Sequence, residues 1–343
     1  MGGGVTTGAT ATVTAVVTAL VVGSCAPIAV VPALRRHGVL DTPSVRSLHV
    51  QPTVRGVGVA TAAAVLLAAV VGWVTGAPAT GVLVLLGGVT LAVLGLVEDV
   101  GGLPVGGRLV LQAALATGAV TTLVVITGGR PPGAEWLALP ILVPVLAMIV
   151  VGYINAANFM DGIDGISGLH GMVAGGAYAL TGTVAGEPAL LFAGGVTAAA
   201  FTAFLPWNLR TQPVFLGDSG SYLLGSLVAL DAVLAWLLGT PVLIAVAPTL
   251  VYLADTATTV LRRSLRRERV WAAHSDHVYQ QLVRQGHRHV PVALLVATAT
   301  ALCVLAGLLS GGSWVGLVLA VAVCLFYLAG PRLVSRGRLG VLR

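Results

Sequence analysis

Hydrophobic positions in this chain come in long unbroken blocks. Apolar runs of about 17 to 23 residues span 11–33, 57–76, 79–97, 109–127, 138–155, 168–185, 188–206, 220–238, 241–261, 291–310 and 313–330. About twenty apolar residues make a helix long enough to cross the hydrocarbon core of a bilayer, and none of the runs alternates as the strands of a membrane barrel would. The pattern predicts an all-α, polytopic transmembrane bundle of about eleven spans, or ten if one of the close pairs near 77 and 186 counts as one. Composition strengthens that picture: 57% of the 343 residues are hydrophobic and only 9% charged, which excludes an ordinary soluble domain. Richness in Ala, Gly and Val suits helices that pack closely in lipid.

Charge adds an orientation. All 18 basic residues are arginine. With loops numbered alternately, Arg35, Arg36, Arg46, Arg55, Arg108, Arg210, the cluster from Arg262 to Arg269, Arg284, Arg288 and the tail arginines fall on one face, with only Arg130 opposite. The positive-inside rule makes that face cytoplasmic, with the N-terminus outside and the C-terminus inside. One membrane domain over 1–343 is expected, with a long cytoplasmic loop at 262–290 and a basic tail at 331–343. The charge of +6 reads as topology and contact with membrane lipid; no nucleic-acid motif accompanies it. Cys25, Cys303 and Cys324 lie in apolar runs without metal-ligand spacing and read as packing residues. The start of the chain lacks a basic region before its first apolar run and reads as a retained first helix.

The chemistry lies in the polar interruptions on the arginine-rich face. In NAANFMDGIDGISG, Asn155, Asn158, Asp161 and Asp164 recur at every third residue and would form one polar edge on a helix or tight turn. Gly162 and Gly165 follow the aspartates, where phosphates could approach the backbone. A polar loop with turn residues would look much the same. In the first loop, Arg46, His49 and Arg55 precede Gly56 and Gly58 and form either an anion-binding corner or a positive-inside anchor. Glu98 and Asp99 close the third apolar run, where the negative end of a helix dipole disfavours them. That uncompensated cost points to a cation site or a general base, against the plain alternative of a solvated helix end.

Downstream, Asp218 stands between Gly217 and Gly220, with Ser219 and Ser221 beside it and Phe215 just before. Backbone N–H groups and hydroxyls there could take a phosphate, and Phe215 could stack on a base; an ordinary helix cap is the alternative. Asp231 lies at membrane depth, where an ionised carboxylate is costly, and receives no role. Asp255 falls two helical turns before Arg262 and would border the site. The last loop holds His274, His277, His287 and His289 together with Arg284. Histidine and arginine near carboxylates suit a pyrophosphate, whereas a zinc site lacks a cysteine; a surface amphipathic helix is the bland reading.

In this order HVQPTVRGVG, GLVEDVGGLP, NAANFMDGIDGISG and FLGDSGSYLLG resemble the polyprenyl-phosphate N-acetylhexosamine-1-phosphate transferases, over about residues 35 to 290. The resemblance implies a bundle of ten or eleven helices in the plasma membrane with an active site in a cytoplasmic cleft. It implies magnesium-dependent transfer of a sugar-1-phosphate from a UDP-N-acetylhexosamine to undecaprenyl phosphate with release of UMP, manganese being the alternative ion and a homodimer the candidate assembly. On this likeness Asp218 looks like the principal metal ligand and Asn158 a second one. Phe215 looks like the uracil-stacking residue, with Gly217 beside it in the nucleotide site. Asp161, Asp164 and Asn155 look like nucleoside and pyrophosphate residues, Asp161 joining Glu98 and Asp99 as catalytic candidates. His49, Arg55, His274, His277 and Arg284 are the phosphate or sugar contacts. Three features depart from the pattern: Glu98-Asp99 replaces an aspartate pair, Val50 replaces a lysine, and HSDHVYQQLVRQG lacks consecutive histidines. The last of these brings a UDP-6-deoxy-N-acetylhexosamine into view beside UDP-GlcNAc. A secondary transporter would instead carry its acids near the midplane, often in two related halves, and the sequence shows no internal repeat.

Overall fold

A computed structural model describes residues 3–41, 52–129, 133, 137–268 and 275–341, without the side chains of 3–7 and 336–341. Each apolar run of the sequence coincides with helix. The elements are α1 (Gly3–Arg36), the two-residue strands β1 (Leu40–Asp41) and β2 (Thr53–Val54), α2 (Gly58–Val74), α3 (Ala79–Gly101), α4 (Val105–Ile126), α5 (Leu139–Met160), α6 (Ile166–Ala185), α7 (Pro188–Asn208) and α8 (Gly217–Leu237). They continue as α9 (Val242–Val246), a 3₁₀ turn (Ala247–Thr249), α10 (Leu250–Leu265), α11 (Val278–Arg284), α12 (His289–Leu309) and α13 (Trp314–Val341). The protein is a polytopic all-α membrane protein.

Among the described residues, nine helical segments are long and apolar enough to cross a membrane, the run 242–265 counting as one. Two expected spans fall outside that set for different reasons. Helix α2 is short, with 17 residues, and α6 is diluted by Gly, Ser, His and Tyr. The polar content of α6 follows from where it packs, since Ser167, His170, Tyr178 and Thr181 all face the protein interior rather than lipid. The core is centred on α8, nearly all of whose residues are buried, with α3, α5, α6 and α7 around it. Lipid-facing positions of α1, α4 and α13 stay apolar and exposed, as in Val110, Val125 and Leu325.

Small residues set the closest approaches. A Cβ on Gly58 would lie 2.2 Å from the Gly220 nitrogen, so the N-terminal turns of α2 and α8 touch backbone to backbone. One extended stretch joins this junction. Leu40 pairs with Val54, Phe215 donates its N–H to the Val54 carbonyl at 2.8 Å, and Val57 donates to the Phe215 carbonyl at 3.1 Å. Chain direction alternates through the bundle, so the C-terminal ends of α1, α3, α5, α7 and α10 meet the N-terminal ends of α2, α4, α6, α8 and α12 at one pole.

If that pole is cytoplasmic, single cysteines placed at Gly133 and Gln212 in a version lacking Cys25, Cys303 and Cys324 should label from opposite sides of the membrane. In intact cells an impermeant maleimide should reach the first and not the second; equal labelling of both would refute the orientation.

Candidate active site

Between these helix ends lies a cleft of about 310 Å³, lined by residues including Asp41, Arg55, Asn158, Asp161, Asp164, Phe215, Asp218, Gln280 and His289. Its organising group is the fully buried carboxylate of Asp99 at the end of α3. One oxygen accepts the Asp218 backbone N–H and the Arg55 Nε–H, both at 2.9 Å, and the other accepts the Ser219 N–H at 2.9 Å. The first turn of α8 has no side-chain cap of its own. Asp99 caps it from another helix, satisfying N–H groups that would otherwise be orphaned and placing negative charge at the positive end of the α8 dipole. Gly217 makes this possible: its φ is +73°, and a Cβ there would lie 2.8 Å from Asp99 Oδ2 and 2.7 Å from the Gly56 nitrogen.

Two expectations change here. The cost of acids at the end of α3 has a tertiary compensation, and the N–H groups of Asp218 and Ser219 are already taken by Asp99. Glu98 turns the other way, accepting the Leu103 N–H at 2.8 Å and lying 3.4 Å from Arg108. It ties the turn between α3 and α4 and does not line the cleft.

Arg55 bridges Asp99 and Asp218, its second contact being NH2 to Asp218 Oδ2 at 2.7 Å. Burial opposes its charge, but the carboxylates of Asp218 and Asp99 outweigh that and hold its pKa above the ordinary value. Asn158 donates its amide to the other Asp218 oxygen at 2.6 Å and to Ser221 Oγ at 2.9 Å. Asp161 follows the last turn of α5 and accepts the Ser167 hydroxyl at 2.6 Å. It keeps partial access to the cleft, yet the protein around it pushes its pKa up to about 7. Desolvation is the main cause; Asp218 and Asp99 add to it, and the Ser167 hydrogen bond and Arg55 oppose it.

The polar edge expected over 155–164 therefore divides. Asn158, Asp161 and Asp164 line the cleft, whereas Asn155 turns to α4 and donates to Gln112 at 2.8 Å. Gly162 lines the cleft, and both glycines of that stretch also serve the packing of the protein. Gly162 leaves room for Tyr279, whose hydroxyl donates to the Phe159 carbonyl, and Gly165 donates its N–H to Asn208 Oδ1 at 2.5 Å. Phe215 and Gly217 line the cleft as expected.

The last loop is divided too. Buried Asp255 accepts the Val278 N–H at 3.1 Å and the Tyr327 hydroxyl at 2.7 Å, and it pairs with His277 Nδ1 at 3.1 Å. It anchors α11 rather than bordering the cleft, and His277 is buried with it. Arg284 is exposed and bonded to Ser275, away from the cleft. His49 and His274 lie outside the described residues. Gln280, which the sequence did not single out, lines the cleft, as does His289, one of the four last-loop histidines read as suiting a pyrophosphate, and His289 Nδ1 pairs with Asp164 Oδ2 at 2.9 Å.

Fold and site together define a polytopic membrane protein with an acidic, arginine-braced cleft at one pole, suited to a phosphorylated ligand accompanied by a cation. A family model described as glycosyl transferase family 4 matches residues 81–236. The chain is 30% identical to decaprenyl-phosphate N-acetylglucosaminephosphotransferase of Mycolicibacterium smegmatis, over 76% of this chain and 72% of that protein. It is 24% identical to a probable undecaprenyl-phosphate N-acetylglucosaminyl 1-phosphate transferase of Bacillus subtilis, over 80% and 79%. A phospho-N-acetylmuramoyl-pentapeptide-transferase of Lacticaseibacillus paracasei matches at 32% over 34% of this chain and 36% of its own. The chain belongs to glycosyl transferase family 4 and is a membrane transferase.

The cap predicts a hierarchy of stability. Asp99→Ala leaves two buried N–H groups and Arg55 without their acceptor and should cost about 3 kcal/mol. Glu98→Gln keeps an acceptor for Leu103 and should cost under about 1 kcal/mol. Thermal unfolding in detergent compares them; equal loss in both would refute the capping role of Asp99.

Proposed function

We propose that the protein transfers N-acetylhexosamine-1-phosphate from a UDP-sugar, UDP-GlcNAc first, to a polyprenyl phosphate, releasing UMP and starting a cell-envelope glycan. The observation that carries this reading is the meeting of Arg55, Asn158, Asp161, Phe215 and Asp218 in one cleft at a membrane pole. The M. smegmatis and B. subtilis relatives are named for polyprenyl-phosphate acceptors and N-acetylglucosamine transfer, which supports the sugar and the acceptor class. Donors sharing that N-acetylhexosamine without a peptide, including 6-deoxy forms, remain the second choice.

Magnesium fits the donor set. It takes oxygen ligands and commonly uses one or two carboxylates completed by substrate phosphates and water, so a cluster of three acidic or histidine ligands is not required. Asp218 would hold it, with Asp161 on the same cleft. Asn158 turns its nitrogen toward Asp218, so its oxygen is the atom available to a cation. When bound, the ion neutralises charge on the pyrophosphate.

The remaining work falls to the chain. Arg55 has N–H groups to spare after its two contacts and can brace a phosphoryl oxygen. Phe215 offers an aromatic face to the base. An acceptor phosphate held at the membrane edge by its lipid tail is already concentrated beside the cleft. Its oxygen attacks the sugar-bearing phosphorus, a new P–O bond forms, and the bond to the UMP phosphate breaks. Asp99 has donors on both oxygens, which favours this direct attack over a nucleophilic role for Asp99. Asp161 is placed to hold or accept a proton.

A donor panel with polyprenyl phosphate tests the reading: UMP release and label entering lipid are expected with UDP-GlcNAc, and none with UDP-MurNAc-pentapeptide. Turnover should vanish on chelation and return with magnesium. Asp218→Asn should lower it by about two orders of magnitude or more in protein of unchanged thermal stability. Product from the pentapeptide donor alone would overturn the donor assignment.

Acidity supplies a separate check. Because the folded pKa of Asp161 lies near 7, above the ordinary carboxylate range, the fold favours the protonated form. That stability is fully present at low pH and is lost as pH rises through about 7. Catalysis by the ionised form runs the other way, so activity should rise with pH through that region in limiting magnesium. Asp161→Asn should abolish the rise, and a pH profile of unchanged shape in that variant would remove Asp161 from the proton-handling role.

A further inference from the structure

Two histidine–aspartate pairs flank α11, and they differ in one respect. His277 and Asp255 are 2% and 0% exposed and tie the loop to α10 and α13. His289 and Asp164 are 23% and 24% exposed, and both line the cleft. A pair whose only task is to hold helices together has no need of an opening to the ligand space.

The hydrogen-bond chemistry fixes how His289 presents itself. An ionised carboxylate can only accept, so the 2.9 Å contact with Asp164 Oδ2 requires the proton on His289 Nδ1. The 3.4 Å approach of the Asp164 backbone N–H to the same nitrogen is then a contact and not a hydrogen bond. Nε2 is left as the ring's remaining polar atom. His289 is the first residue of α12, a 21-residue helix, so the ring is carried on a rigid element, and Asp164 is fixed in the short connection between α5 and α6. Asp41, Arg55, Asp161 and Asp218 line the same cleft, as does Gln280 of α11. The acids need a cation among them, whereas His289, its Nδ1–H given to Asp164, donates from Nε2 to an anionic oxygen when the ring carries its second proton, the form that a bound phosphate favours.

We propose that His289 is a substrate-binding residue whose Nε2 contacts a phosphoryl oxygen of a nucleoside diphosphate, with Asp164 as the positioning residue that orients the ring. This rests on the UDP-sugar reading and adds to Arg55 a second phosphate contact in the same cleft.

Calorimetry with UDP, uridine and UDP-GlcNAc in magnesium buffer tests it on purified wild type, His289→Ala and His289→Gln. UDP binding should weaken ~10-fold in His289→Ala, return to within ~3-fold of wild type in His289→Gln, whose amide can also donate, and uridine binding should not change. The KM for UDP-GlcNAc should rise in parallel while that for polyprenyl phosphate stays constant. Equal UDP affinity in wild type and His289→Ala would overturn the proposal, as would an effect confined to UDP-GlcNAc, which would move the contact to the sugar. Loss of thermal stability in both variants without rescue of binding by Gln would reduce His289 to a structural tie and also overturn it. UDP binding with the expected variant pattern but no turnover with any donor would leave the proposal standing and sink the transferase reading alone; no UDP binding to the wild type would sink both.

Discussion

The carboxylate of Asp99 is the constraint on which the pole of the bundle depends. It sits at the negative end of α3 and faces the positive end of α8, so the interaction that is unfavourable within its own helix is favourable with its neighbour. A buried charge survives only when its oxygens are satisfied, and here two backbone N–H groups and a guanidinium meet that need. The geometry demands close approach of α3 and α8: a Cβ on Gly95 would stand 2.3 Å from the Asp218 carbonyl oxygen. Larger residues there would lift α8 away and take Asp218 out of register with Arg55 and Asn158.

That arrangement leaves the cleft with more acid than base. Asp99, Asp161 and Asp218 all act on one another, and Arg55 is the cation that the structure sets against them. Asp99 spends its charge on α8 and Arg55, but the pKa of Asp161 is pushed up to about 7, chiefly because burial desolvates it, with the negative charge of Asp218 and Asp99 adding to the effect. Among the described residues this charge balance supports the proposed reading, in which the anionic donor arrives with a divalent cation. A UDP-sugar with magnesium has that charge pattern.

The helices were legible because a bilayer imposes one length and one polarity on every span. The cleft was legible in part, since acids, amides and glycines at polar interruptions have few bland uses. What spacing could not reveal was the partner of each group. Asn155 and Asn158 stand three residues apart on one helix, yet one reaches α4 and the other α8, because neighbouring helices divide the surface of α5 between them. Asp99 read as a violation because its compensation lies on a helix more than a hundred residues away. His289 was named with three other loop histidines, and spacing could not separate them; only the fold places it against Asp164, while His277 turns inward to Asp255.

Asp255 shows the same device on the other wall. It accepts the first N–H of α11 and holds Tyr327 of α13, as Asp99 accepts the first N–H groups of α8 and holds Arg55. Through α11 it fixes Tyr279, which fills the space left by Gly162 and bonds the Phe159 carbonyl, and next to it Gln280 at the cleft. A buried carboxylate of one helix thus caps another in both places, across 119 residues for Asp99 and Asp218 and across 23 for Asp255 and Val278. Around the cleft the division of labour follows from burial: Asp99 and Asp255, which do not line it, serve as caps, and those that keep an opening to it, Asp161, Asp164 and Asp218, are left with charge to offer a ligand.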